Sequence, residues 1–137
     1  MQTLICLMRP ANTTGGSLET LLERSGLTVW RSESAADYLG DPRAKTTLCV
    51  IADMPGQSGL TELVELRLRG GNTPAILLTT PGAHYPQAGI AQARILEALS
   101  RVGSERPLLA WIQCICAAHL VMDRRLALQR ARLDQAA

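Results

Sequence analysis

Three short, almost wholly apolar runs constrain this chain more than anything else in it: Thr3-Leu-Ile-Cys-Leu-Met8, Leu48-Cys-Val-Ile-Ala52 and Ala75-Ile-Leu-Leu78. A strand with one wet face alternates apolar and polar residues. A continuous run has no wet face, so it belongs in a parallel sheet covered on both sides. Segments of helical period lie between the runs. Ser17 can cap a helix carrying Leu18, Leu21 and Leu22 and ending at Gly26. Ser58 to Arg69 carries Leu60, Leu63, Val64, Leu66 and Leu68 and closes at Gly70-Gly71. Leu27-Thr-Val-Trp30 and Arg94 to Leu99 supply two further strands, and Ser34 to Leu39 supplies a short helix stopped by Gly40 and Pro42. Residues 10–16 are loop chemistry. Pro81, Gly82, Pro86 and Gly89 leave room in 81–92 for a short or broken helix only. Strands and helices alternating at this spacing imply right-handed βαβ units, and hence an α/β, doubly wound, five-stranded parallel sheet. Such sheets gather their chemistry at the carboxyl ends of the strands. Those ends carry Met8-Arg9, Asp53, Thr79 and Ser100-Arg101.

Composition narrows the function. The chain's 137 residues suit one domain, read as 1–120, with 121–137 as an extension of its last helix. Aromatics are 3% and Phe is absent, which excludes a base- or sugar-stacking platform. The net charge is +2, and residues 123–137 account for it, with Arg124, Arg125, Arg130 and Arg132 against Asp123 and Asp134. A nucleic-acid binder shows a broader basic patch. Cys6, Cys49, Cys114 and Cys116 form no CxxC pair and sit in apolar runs, so they read as buried, reduced thiols rather than metal ligands or disulfides. The first residues lack the basic and apolar regions of an export signal, and the expectation is a cytoplasmic protein.

Leu108, Ile112, Ile115, His119, Met122, Leu126, Gln129 and Leu133 follow an unbroken 4-3-4-3 spacing, the seam of a coiled coil or helical hairpin. Leu109, Cys116 and Leu120 add a second stripe early on, so the early half can pack on the sheet while the later half seeks a partner. A helix from Arg106 to Gln135 would be about 45 Å long at 1.5 Å per residue, so its end should project beyond a small domain. Two readings stand: a solvated tail, or a homodimer interface through Leu108, Ile112, Ile115, His119, Met122, Leu126 and Leu133.

Cys49-Val-Ile-Ala-Asp53, Met54-Pro-Gly-Gln-Ser-Gly-Leu60 and Thr73-Pro-Ala-Ile-Leu-Leu-Thr79, with the helix Leu18 to Gly26, resemble the bacterial response-regulator receiver domain over about residues 3–120. The resemblance implies a flavodoxin-like (βα)5 fold and a place in two-component or phosphorelay signalling. It also implies an Asp after the third strand that accepts a phosphoryl group, a Mg²⁺-binding acidic pair after the first strand, a hydroxyl after the fourth and a Lys after the fifth. Asp53 falls at the acceptor position, Thr79 at the hydroxyl and Arg101 at the lysine. The acidic slots fall on Arg9, Pro10 and Ala11. The family places two residues between its acceptor and the Met-Pro-Gly turn, and this chain places none, so an ungapped alignment puts Ile51 at the acceptor slot.

Phosphoryl transfer depends on positioning and charge neutralisation. Mg²⁺ needs oxygen ligands, and Arg is not equivalent to Lys. The expectation is therefore a degenerate pseudo-receiver that uses no metal or cofactor, is not an enzyme, and acts through protein contacts without phosphorylation. Three readings of Asp53 remain open: a carboxylate capping the turn amides, an ion pair with Arg9 or Arg101, or a working phosphoacceptor. A regulator of RNA or DNA using the arginine tail is a further alternative, although the expected partner is a protein in a signalling pathway and neither a membrane nor nucleic acid. A flavodoxin-like enzyme lacks a cofactor fingerprint and a nucleophile–base pair.

Overall fold

In the computed structural model, which describes residues 3–11, 16–103 and 105–136, all three apolar runs are strands. They are β1 (Leu4–Met8), β3 (Thr47–Ala52) and β4 (Ala75–Thr79), and β2 (Thr28–Ser32) and β5 (Glu97–Ser100) complete the sheet. All pairings are parallel, in the order β2-β1-β3-β4-β5. The helices are α1 (Ser17–Arg24), α2 (Ala35–Leu39), α3 (Ser58–Leu68), α4 (Gln87–Ala93) and α5 (Glu105–Ala136), with a 3₁₀ turn at Pro42–Thr46. Of the expected loop at 10–16, residues 12–15 lie outside the described residues.

Side-chain alternation divides the core in two. Cys6, Met8, Val50, Ala52, Ala75 and Leu77 face α2, α3 and α4. Ile5, Leu7, Cys49, Ile51, Ile76 and Leu78 face α1 and α5. The sheet is thus doubly wound, and its central strands are dry on both faces, as their continuous apolar runs require.

Several local expectations are corrected. Ser17 is the first helical residue of α1 and does not cap it; Gly16 stands at the cap position and brings no side chain to it. Ser34 does cap α2, its hydroxyl accepting from the Asp37 amide. The fifth strand begins at Glu97 rather than Arg94. Arg94 instead ends α4 in the left-handed region, with φ 49°. Arg67 holds that corner by donating to the carbonyls of Ala93 at 2.7 Å, Thr73 at 2.8 Å and Gly71 at 3.0 Å. Cys6 and Cys49 are buried, but Cys114 is exposed and Cys116 only partly covered.

The expected dimer seam is also corrected in its first half. Leu108 and Ile112 are fully buried against the sheet, and Ile115 packs beside them, so these residues belong to the domain's own core. From Ala117 to Gln135 every residue except the half-buried Asp123 is exposed. His119 pairs with Asp123 one turn on, at 3.3 Å. No helix among the described residues is long and apolar enough to cross a membrane.

Candidate functional site

Period-two alternation assembles a cluster at the carboxyl edge of the sheet. Leu7, Ile51, Leu78 and Leu99 lie on the α1/α5 face. Two residues further along each chain come Arg9, Asp53, Thr80 and Arg101, and position i+2 of an extended chain returns to the same face. The backbone holds this geometry past the strand ends: the Asp53 amide donates to the Met8 carbonyl at 2.9 Å, and the Arg101 amide donates to the Thr79 carbonyl at 3.0 Å.

Asp53 lies between two guanidinium groups. Arg9 Nε donates to its Oδ2 at 2.9 Å, and Arg101 Nη2 lies 2.8 Å from its Oδ1. Arg9 is 6% exposed and Asp53 12%, whereas Arg101 is 39% exposed. The Arg9 pair is thus held in low dielectric, and the Arg101 contact is screened by water. Ile51 is fully buried within the apolar cluster, so the last strand residue on this face before Asp53 is a hydrocarbon.

Thr79 is not part of this cluster. Its hydroxyl donates to the Leu99 carbonyl at 3.3 Å and ties β4 to β5. The neighbouring Thr80 has its hydroxyl oxygen buried without a hydrogen-bond partner. Its amide donates to the Tyr85 hydroxyl at 2.8 Å, and that hydroxyl donates to the Gly56 carbonyl at 2.9 Å. Tyr85 therefore fastens the 80–86 loop to the turn that follows Asp53. His84, beside it, is exposed.

Sequence reasoning misses Thr80, Tyr85 and Arg67. Thr80 was within reach, because it continues the Ile76–Leu78 alternation. Tyr85 and Arg67 bind distant backbone carbonyls, which leave no mark in composition or spacing.

The thiols below the site are inert for an electrostatic reason. Burial pushes Cys6 up to about 11 and Cys49 up to about 12, and the Ser32 hydroxyl moderates the shift at Cys6.

Residues at this edge do not suit a divalent cation. Among the described residues no group of three or more His, Cys, Asp or Glu side chains could hold a metal. The lone carboxylate is already engaged by guanidinium groups, and a guanidinium repels a cation and offers no ligand.

The relationships to known proteins agree with this architecture. No protein-family model matches the chain. A 68-residue stretch is 43% identical to the transcriptional regulatory protein FixJ of Azorhizobium caulinodans and covers 48% of this chain. It spans only 32% of that protein's length. Among solved structures, a response regulator receiver domain protein from Clostridium thermocellum superimposes with a TM-score of 0.66 at 20% identity, covering 88% of this chain and 98% of that one. The response regulator TrrA from Thermotoga maritima, in complex with Mg²⁺-BeF, gives a TM-score of 0.64 at 20% identity, covering 83% of this chain and 99% of that one. The fold is that of response-regulator receiver domains.

Proposed function

We propose that this chain is a pseudo-receiver: a signal-transduction module that acts through protein contacts without phosphorylation of Asp53. One observation carries the reading. Both oxygens of the Asp53 carboxylate lie against guanidinium groups, at 2.9 and 2.8 Å. A nucleophilic carboxylate needs a free lone pair directed at phosphorus and a cation that can follow the transferring oxygens. Here Oδ2 accepts from the buried Arg9, while Oδ1 accepts no hydrogen bond and faces the Arg101 guanidinium in ion-pair contact, and Arg9 stands in the region where a receiver's acidic residues would lie. The arrangement locks one conformation where a switch would need two.

Incubation with acetyl phosphate and Mg²⁺ should leave the protein unlabelled in intact-mass spectra. Magnesium-dependent labelling that disappears in Asp53→Ala would overturn the reading.

The protein contacts include a second copy of the chain. The projecting half of α5 leaves Met122, Leu126 and Leu133 about half exposed or more on the seam face. Burying that stripe against a partner helix removes it from water. The module is placed in the cytoplasm, where signalling of this kind is conducted and its thiols remain reduced.

A further inference from the structure

On the reading that the exposed half of α5 pairs with a second copy of the chain, we infer that the two helices run antiparallel, with Asp123 of each copy against Arg130 of the other. Two independent observations select that orientation.

The first is steric. Leu108 and Ile112 are fully buried against the sheet, and Ile115 packs beside them. His119, Met122, Leu126 and Leu133 continue the same stripe into the exposed half. A stripe of this period drifts by only about 20° per heptad, so the face that meets a partner is also the face that meets the domain's own sheet. In a parallel pair each helix would carry its domain on the side turned toward the other. Two domains would then compete for one space beside Ala117, and helices packed about 8–10 Å apart leave no room for both. In an antiparallel pair each domain meets the carboxyl half of the other helix, where every residue from Ala117 to Gln135 except the half-buried Asp123 is exposed.

The second is charge. Antiparallel helices that set Met122 opposite Leu133 and Leu126 opposite Gln129 bring Asp123 of one copy beside Arg130 of the other along one edge of the seam. Two-fold symmetry makes that pair twice. A shift of one heptad in either direction sets Asp123 against Asp123 or Arg130 against Arg130. A parallel pair sets Asp123 against Ala118 and Arg130 against Arg125, so it loses the attraction and gains a repulsion. The other edge of the antiparallel seam holds Arg125 and Arg132. Both are exposed, and their stems line a shallow surface groove with Leu128 and Gln129, so their charged heads repel through water and are screened.

Double electron–electron resonance on the full chain reads the orientation. Cys6 and Cys49 are buried and stay unlabelled, and Cys114→Ser with Cys116→Ala removes the other two thiols. A nitroxide is then attached in Ala117→Cys or in Ala131→Cys, both exposed positions on the side of the helix away from the seam. In the antiparallel pair the two labels at 117 should lie about 30 Å apart along the axis and those at 131 about 10 Å, at 1.5 Å per residue. A parallel pair gives the same separation at both positions. Sedimentation supplies a second readout that needs no label. Arg130→Asp sets a carboxylate against Asp123 and should weaken the antiparallel dimer several-fold, whereas it would tighten a parallel one. Asp123→Arg combined with Arg130→Asp exchanges the charges and should restore the dimer. A full chain that stays monomeric at high micromolar concentration would overturn the seam and the orientation together. A dimer with equal label separations, or one tightened by Arg130→Asp, would overturn the orientation and leave the seam standing.

Discussion

At the scale of single residues, Asp53 shows how burial ranks two contacts of equal length. Its distances to Arg9 and Arg101 differ by only 0.1 Å (2.9 against 2.8 Å), but Arg9 is 6% exposed and Arg101 39%. Removing the carboxylate with Asp53→Ala strands a buried guanidinium and should cost about 3–5 kcal/mol. Arg101→Ala removes a half-solvated partner and should cost about 1 kcal/mol or less. Urea denaturation of both variants checks the ranking, and equal losses would refute it. Thr80 makes the opposite prediction. Its hydroxyl is buried and unbonded, so Thr80→Val, which keeps the shape and β-branching, should leave stability unchanged or raise it by up to about 1 kcal/mol. A clear fall in the thermal midpoint would show that the oxygen has a partner. That an arginine meets Asp53 is legible in the sequence, since Arg9, Asp53 and Arg101 all follow strand ends. Which arginine dominates is not, because dielectric is a property of the packed molecule. The choice between Thr79 and Thr80 is equally hidden: both follow the same run, and a shift of one residue exchanges the two faces of the sheet.

Elements differ in how openly they declare themselves. β1, β3 and β4 are legible because burial on both faces forces a continuous apolar run, whereas β5 is an edge strand whose residues alternate between half-buried and exposed. Its lower apolar demand lets the pattern slide back to Arg94. α4 is the short helix that the Pro and Gly residues of 81–92 predict, and Gly89 lies inside it for a packing reason. A glycine counts against a helix by propensity, yet a Cβ there would come within 3.1 Å of Leu60, so close packing on α3 calls for it. α5 is legible as one long helix, and its second early stripe points to a first half that packs on the sheet, but the seam spacing alone does not mark where that half ends. Its 4-3-4-3 spacing runs unchanged from Leu108, which packs on the sheet, to Leu133, which is 71% exposed. A spacing rule states which residues share a face and not what covers that face. Sedimentation should therefore give a dimer at high micromolar concentration and a monomer after deletion of 121–137, with the domain's thermal midpoint little changed because the deleted residues lie outside its core. A full-length monomer, or a dimer that survives the deletion, would remove the seam as the interface.

Over the whole molecule, the feature that makes the sheet legible also gives it an alkaline weakness. A core dry on both faces holds Cys6 and Cys49 as neutral thiols, with pKa values pushed up to about 11 and about 12 by burial, and burial likewise raises Tyr38. In the unfolded chain the thiols ionise near 9, the ordinary value. Below that pH both states carry the protons, and the titration contributes nothing to the difference between them. Above it the unfolded chain releases protons that the folded chain retains, so the unfolded state binds fewer and stability falls as pH rises. The loss begins near pH 9 and continues until the folded thiols ionise, between about 11 and 12. Each unit of separation is worth about 1.4 kcal/mol per group, which makes the total on the order of a few kcal/mol. Urea midpoints measured from pH 8 to 11 should fall steadily above 9, and a Cys6→Ala/Cys49→Ala variant should flatten most of the slope and leave the part due to Tyr38. A profile that stays level to pH 11, or one that the double substitution does not change, would show that the thiols do not set the alkaline limit.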